Sequence, residues 1–403
     1  MGIGGIDPQQ AKRGFVIASA SMLAVFAAGA APIPLYSVYQ QTIGLTDLQI
    51  NATMFLYLLG IMAVLLFAGR LSDALGRKPV ALASLALALA GCLLFAVAAN
   101  PSWVLAARLV QGISCGLAMS ALSSLAIEYA VIARHGTWGS TITGCGCLVG
   151  IMIGSLGCGM LTSAISPIQA VYWITAGILL VLALAVVTVP ETVSQRRPLA
   201  STIRPSLFVP KGAGRLFFMA AAAYVSTWGV GGFFQSYSAP IATEALHANG
   251  TLLASAILAC AMATSALSGP LCAHIAAPRA LKAGILAFLA SCLMMTASLT
   301  VGATVPFLAS CAFFSLTMGV CLSSSLRILL AESSAEDTSA LVSSINLVGY
   351  FGCTIISCGS GMLVGTLSFP QVFVVLTLVS AVATLAIVTA LHAGRTVRVA
   401  HNG

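Results

Sequence analysis

Apolar stretches of the length needed to cross a bilayer recur from one end of this chain to the other, and nothing else in the sequence constrains its fold as strongly. They run over 14–38, 48–69, 79–99, 102–131, 138–163, 168–189, 214–240, 251–273, 280–301, 304–330, 338–364 and 370–392. In hydrocarbon every backbone N–H and C=O needs a partner within its own segment, so each stretch is expected to be an α-helix. Composition agrees: 59% of the residues are hydrophobic and 6% charged, where a soluble domain carries roughly a quarter charged. The first stretch follows Lys12 and Arg13 and passes Ala27-Ala28-Gly29-Ala30, as a secretory signal would. It continues to Tyr36, too long for a signal's apolar region, and reads as an uncleaved span. Two starts fit a capping box, Thr46-Asp47-Leu48-Gln49 and Ser333-Ser334-Ala335-Glu336.

Orientation follows from Lys and Arg. If the helices alternate, one side holds Lys12, Arg13, Arg70, Arg77, Lys78, Arg134, Arg196, Arg197, Arg204, Lys211, Arg215, Arg279, Lys282, Arg395 and Arg398. The loops of the other side hold none, and only Arg108 and Arg327 lie within spans. Both termini are therefore expected in the cytoplasm. A formal net charge of +8 would suit nucleic acid on a soluble face, but these residues sit at the ends of apolar stretches, which excludes that class. The twelve cysteines fall in or beside apolar runs without metal-ligand spacing, so packing is expected of them rather than a disulfide framework or a zinc site.

The 190–213 segment, with Pro190, Pro198, Pro205 and Pro210, divides the chain into an N-terminal half, 1–189, and a C-terminal half, 214–403. The halves echo one another at an offset of about 202 residues: Gly150, Gly157, Gly159, Met160 and Leu161 against Gly352, Gly359, Gly361, Met362 and Leu363. The expected architecture is an all-α membrane protein of twelve transmembrane helices in two pseudo-symmetric six-helix halves. Duplicated halves of this kind are a transporter architecture, with substrate bound where the repeats meet.

Between the second and third spans lies Gly69-Arg70-Leu71-Ser72-Asp73-Ala74-Leu75-Gly76-Arg77-Lys78. Glycines let two helix ends turn and approach closely, and an aspartate among arginines can form a charge-assisted latch. The segment resembles the G-x-L-a-D-r-x-G-r-k loop of the major facilitator superfamily, departing from it at Ala74. The resemblance implies a latch of Gly69, Asp73, Gly76, Arg77, Lys78 and Glu128. Asp73 would face the start of span 11 and Arg77 would reach Glu128, favouring an outward-open state. The second-half counterpart, Gly269-Pro270-Leu271-Cys272-Ala273, lacks the aspartate.

Span 4 carries Arg108-Leu109-Val110-Gln111-Gly112, which resembles the R-x-x-Q-G signature of the same superfamily. An arginine inside a membrane is costly to insert and faces the protein interior, a wet cavity or, by snorkelling, the headgroups. Arg108 is thus a candidate to position an anionic group or modulate a proton site. Asp47 is its nearest candidate partner, unless that residue only caps its helix. The glycine-rich fifth span (Gly144, Gly146, Gly150, Gly154, Gly157 and Gly159) resembles the antiporter branch in part, with Ser155 and Cys158 breaking the pattern. Close helix packing by Gly112, Gly116, Gly150, Gly154, Gly157 and Gly159 accounts for much of it without that branch. Pro190-Glu191-Thr192 is a further, weaker likeness.

None of the nine acidic residues falls at mid-membrane, so no proton carrier is evident. The cavity candidates are Tyr36, Tyr39, Asn51, Tyr57, Gln111, Trp228, Gln235, Tyr237, Asn346 and Tyr350, each of which could instead face lipid. Pro32 and Pro34 are expected to bend span 1, and Gly229, Gly231 and Gly232 to loosen span 7. The resemblance implies a monomeric exporter in the plasma membrane (the inner membrane of a bacterium). It would move a small drug-like compound or metabolite by alternating access in exchange for protons, without cofactor or metal. The alternative is an uptake permease or facilitator of the same fold. No nucleophile–base pair, metal cluster or phosphate loop supports an enzyme.

Overall fold

The computed structural model of the chain describes residues 6–133, 136–193, 198, 214–248, 250–331 and 338–401. Arg134, most of the 190–213 segment with Arg196, Arg197, Arg204 and Lys211, and the Ser333–Glu336 capping box lie outside the described residues. Among those described, every regular element is helical. Span 1 is α1 (Pro8–Ala30), a 3-10 turn (Ile33–Leu35) and α2 (Tyr36–Ile43). Then come α3 (Asp47–Phe67), the short α4 (Leu71–Leu75), α5 (Arg77–Ala96), α6 (Pro101–Ile132), α7 (Gly136–Ala164) and α8 (Ala170–Val187). The later helices are α9 (Gly214–Pro240), α10 (Thr251–Ala263), α11 (Ser268–Cys272), α12 (Ala277–Val301), α13 (Thr304–Leu330), α14 (Thr338–Gly361) and α15 (Phe369–His401). Eleven spans among the described residues are long and apolar enough to cross a membrane, and α14 supplies a further helix of 24 residues.

Local chemistry sets the helix ends. Asp7 caps α1 by accepting from the amide of Gln9 at 3.2 Å. Thr46 and Gln49 exchange both bonds of a capping box at the start of α3. Asn100 caps α6, with Pro101 in the first turn where its missing N–H is not needed. Pro32 and Pro34 do break span 1: α1 stops at Ala30 and a 3-10 turn intervenes before Tyr36. The glycines of span 7 act otherwise than expected. α9 runs unbroken through Gly229, Gly231 and Gly232, and the irregularity follows Pro240 as a π-helical turn, Ile241–Ala245. At Gly229 a Cβ would stand 2.6 Å from Ile356 Cβ, so close approach to α14 is what that glycine permits.

The chain forms two compact units: one comprises Met1–Pro205, Ser238–Pro240 and Asn249–Ala259, the other Ser206–Tyr237, Ile241–Ala248 and Cys260–Gly403. In the first, α6 packs against α1, α3, α5 and α7, and α8 packs on α5. The second repeats this scheme, with α13 against α12 and the 3-10 turn Thr264–Leu267, and α15 on α12. Small residues and hydroxyls bring these helices together. Ser84 Oγ donates to Ser114 O at 2.9 Å and Ser114 Oγ returns the bond to Ser84 O at 2.8 Å, joining α5 and α6 reciprocally. Large apolar side chains such as Trp173, Val181, Leu184, Leu293, Val382 and Leu385 point outward, as a lipid-facing surface requires.

Candidate gating cluster and buried arginine site

The Gly69–Lys78 segment forms a joint between three helices. α3 ends at Phe67, α4 makes little more than one turn, and Gly76 enters α5 at φ +106°, a conformation that favours glycine. A Cβ there would also lie 2.6 Å from Glu191 Oε2. From the first position of α5, the Arg77 guanidinium contacts Asp73 Oδ1 at 2.6 Å, Ser72 Oγ at 2.6 Å and Glu128 Oε1 at 3.3 Å. The other oxygen of Glu128 accepts from Thr192 Oγ1. The Arg77, Asp73 and Glu128 side chains are 17%, 26% and 25% exposed, so each pair contributes only about 1 kcal/mol. What the network supplies is geometry, fixing the ends of α4, α5 and α6 together.

Glu191 does a separate job in the same place. Its carboxylate accepts from the amides of Arg77 and Lys78, both at 3.0 Å, and so caps the N-terminus of α5, where a negative charge opposes the helix dipole. Lys78 answers at the opposite pole. Its Nζ donates to Val187 O at 2.5 Å and Val189 O at 3.1 Å, at the C-terminal end of α8. Tyr129 OH donates to Pro190 O. Asp73, Arg77, Lys78 and Glu128 are the members that the sequence marks, while Ser72, Glu191, Thr192 and Tyr129 join them only in the fold. Pro190-Glu191-Thr192 was the available signal. In the second unit, where the aspartate is missing, Arg327 takes a comparable place, donating to Cys272 O at 2.8 Å, at the end of α11, and to Ile275 O at 3.3 Å just beyond it.

Arg108 lies 0% exposed inside the first unit, so it does not snorkel. Its NH1 donates to Gly29 O at 2.6 Å and to Gln111 Oε1 at 3.0 Å, and its guanidinium carbon sits 4.4 Å from the centre of the Tyr57 ring. Gln111 Nε2 donates to Ala28 O at 2.9 Å. These acceptors exist because of the prolines. The carbonyl of Ala28 would ordinarily take the N–H of residue 32, which Pro32 lacks, and α1 ends two residues earlier. The i, i+3 spacing of Arg108 and Gln111 places both side chains on one face of α6, where together they cap the broken helix. A cation at a helix C-terminus is also favoured by the dipole. The buried Nε and NH2 of Arg108 have no hydrogen-bond partner among the described residues.

Asp47 is not brought to this site. It is exposed in the first turn of α3 and accepts from Gln40 Nε2 at 2.8 Å. A residue hydrogen-bonded at the helix start cannot neutralise a fully buried guanidinium, and the structure shows no Arg108 ion pair among the described residues.

The cavity candidates divide by burial. In the first unit Tyr36 is 0% exposed, and Tyr39 OH donates to Tyr172 OH at 2.7 Å beside Phe95, whose ring centre lies 5.2 Å from that of Tyr172. Asn51, Tyr57 and Gln111 are also buried. In the second unit Tyr237 OH donates to Gly361 O at 3.2 Å and is buried. Trp228, Gln235, Asn346 and Tyr350 remain partly exposed, with Trp228 and Tyr350 ring centres 4.6 Å apart. Of the packing glycines, Gly112 faces the Tyr57 carbonyl across α3, Gly116 faces Val64, Gly150 faces Leu23 and Phe26, Gly154 faces Ala27, and Gly159 faces Leu252 and Ser255. Gly157 is the exception: a Cβ there would meet nothing within 4 Å among the described residues.

Repeated helical packing in each half, outward apolar surfaces and a charged joint between spans 2 and 3 define a polytopic membrane protein of the two-halves type. A family model described as Major Facilitator Superfamily matches residues 17–357, and the chain belongs to that superfamily. Over 106 residues it is 33% identical to Multidrug resistance protein MdtL of Klebsiella pneumoniae (strain 342), covering 25% of this chain and 26% of that protein. Over 194 residues it is 28% identical to Multidrug resistance protein MdtL of Escherichia coli (strain UTI89 / UPEC), covering 47% of each. The chain thus spans about a quarter to a half of the length of these curated relatives. A solved structure of the nucleoside transporter NupG superposes with a TM-score of 0.68 at 14% identity, covering 94% of this chain and 99% of that one, a likeness of fold alone.

Proposed function

We propose that this chain exports a small organic molecule, a drug-like compound or a metabolite, across the plasma membrane by alternating access in exchange for protons. The observation that carries export is the kinship itself: the relatives matched bear the name multidrug resistance protein. The sidedness of Lys and Arg supports a cytoplasmic location for both termini. In this scheme the Asp73–Arg77–Glu128 cluster holds one conformation of the cycle and parts in the other. Arg108 and Gln111 hold the broken end of α1, and the two free nitrogens of Arg108 are available to an anionic or carbonyl group of the substrate or to the coupling step. Asp47 serves as a helix-start residue. A monomer is sufficient for this cycle.

The experiment is a substrate-panel efflux assay in cells lacking their own pumps, with cells that carry the empty vector as the reference. Expression should lower the accumulation of at least one compound relative to the reference. Raised accumulation would indicate an uptake permease, and no difference across the panel with the protein present in the membrane would reject export.

A further inference from the structure

A recess of about 290 Å³ opens beside the gating cluster, and its lining includes Gln10, Arg13, Lys78, Thr188 and Pro190. It brings two cations from separate helices to one hollow, and no acidic residue lines it among the described residues. Both are held in place. Arg13 NH2 donates to Thr188 Oγ1 at 3.1 Å, and that hydroxyl donates onward to Ala185 O at 2.7 Å. Lys78 Nζ is steadied by the carbonyls of Val187 and Val189. Neither cation has an ion-pair partner among the described residues, and each keeps N–H donors beyond the bonds just named. The neighbouring carboxylate, Glu191, is committed to the amides of Arg77, Lys78, Thr192 and Val193. The hollow therefore presents uncompensated positive charge with directed donors.

What lies one helical turn away decides the kind of anion. Val16, at i+3 from Arg13 on α1, is 62% exposed, and Leu184, at i−4 from Thr188 on α8, is also 62% exposed. Beside Thr188, Val187 is 53% exposed. Polar donors and outward apolar side chains thus stack along the same helix faces, where the lipid-facing surface meets the charged ends. A soluble phosphate would use only the upper part of this surface. A phospholipid would use both, its phosphate against Arg13 and Lys78 and its chains along Val16 and Leu184. We propose that the recess is a binding site for the phosphate of an anionic phospholipid in the leaflet next to the gating cluster.

The test uses the full-length protein, delipidated in detergent and titrated with short-chain phosphatidylglycerol, with bound adducts counted by native mass spectrometry. Phosphatidylcholine and inorganic phosphate serve as the other probes. Arg13→Gln should weaken phosphatidylglycerol binding about fivefold, the effect of about 1 kcal/mol for one basic residue at a membrane surface. Thr188→Val, which leaves the charge unchanged but frees Arg13 from its hydroxyl, should weaken it in the same direction. Lys12→Gln removes the same charge from the adjacent exposed position outside the recess and should have little effect. Equal losses for Lys12→Gln and Arg13→Gln would reduce the site to general surface charge and overturn the proposal. Phosphatidylcholine binding as tightly as phosphatidylglycerol would also overturn it. Displacement of the lipid by inorganic phosphate at equal concentration would identify a soluble-phosphate site instead.

Discussion

Arg108 is the side chain hardest to place in a membrane, and its surroundings account for its retention. Its guanidinium and the Gln111 amide supply donors to the Gly29 and Ala28 carbonyls at the broken end of α1. Gln111→Leu should leave the Ala28 carbonyl and one Arg108 bond unmet, costing about 1–3 kcal/mol of stability, readable as a lower thermal midpoint in detergent. Arg108→Ala should reduce transport at least about tenfold, since hydrogen bonds from a charged group contribute about 1.5–3 kcal/mol. Arg108→Lys should recover little, because one ammonium cannot reproduce the planar fork. Full activity in the lysine variant would show that charge alone suffices. At the other end of the unit, Arg77 contacts Asp73 and Glu128 at once. A double-mutant cycle with Arg77→Gln and Glu128→Gln should therefore give non-additive losses of transport, and additive losses would remove the cluster from the mechanism.

At the scale of the element, helices meet where side chains are smallest. Gly60 and Gly112 oppose each other where α3 crosses α6, and a Cβ on Gly60 would lie 2.8 Å from the Ile113 nitrogen and the Leu109 oxygen. Gly112→Ala should cost about 1–3 kcal/mol by overpacking against the Tyr57 carbonyl. Gly157→Ala should be neutral or stabilising by up to about 1 kcal/mol, since alanine suits a helix better and nothing opposes it. Thermal unfolding of the two variants decides this, and equal destabilisation would contradict the packing described. The helices themselves were legible in the sequence because an eighteen-residue apolar run leaves few alternatives to a span. The break in α1 was legible too, from Pro32 and Pro34. Less legible were the acceptors of Arg108 and Gln111, since backbone carbonyls carry no residue signature, and the partner of Glu191, which is a helix N-terminus rather than a side chain. Asp47 looked like a partner for Arg108 only because distance in the fold cannot be read from order in the chain. Gly157 shares one face of α7 with Gly150 and Gly154, yet no described atom stands opposite it, because spacing fixes the face a glycine is on and not what lies beyond it.

At the scale of the molecule, the packing scheme of α5, α6 and α8 recurs in α12, α13 and α15, which is what a duplicated half produces. The faint echo at an offset of about 202 residues made that repeat legible, while the replacement of an acid–arginine joint by Arg327 and two carbonyls was not. Topology is open to a direct check. Reporter fusions after Asn100, Ile165, His247 and Gly302 should all report the side opposite the basic loops, and one cytoplasmic signal would break the twelve-span arrangement. Export coupled to protons is proposed for a chain whose sequence places no acidic residue in the middle of an apolar stretch. Proteoliposomes holding the purified protein, with a substrate found in the efflux panel and an imposed proton gradient, test it most directly. Substrate should move against its own gradient, with protons flowing the opposite way, and should stop when the proton gradient is collapsed. Movement that persists at the same rate after collapse would contradict proton exchange and leave a facilitator, or a transporter driven by another ion.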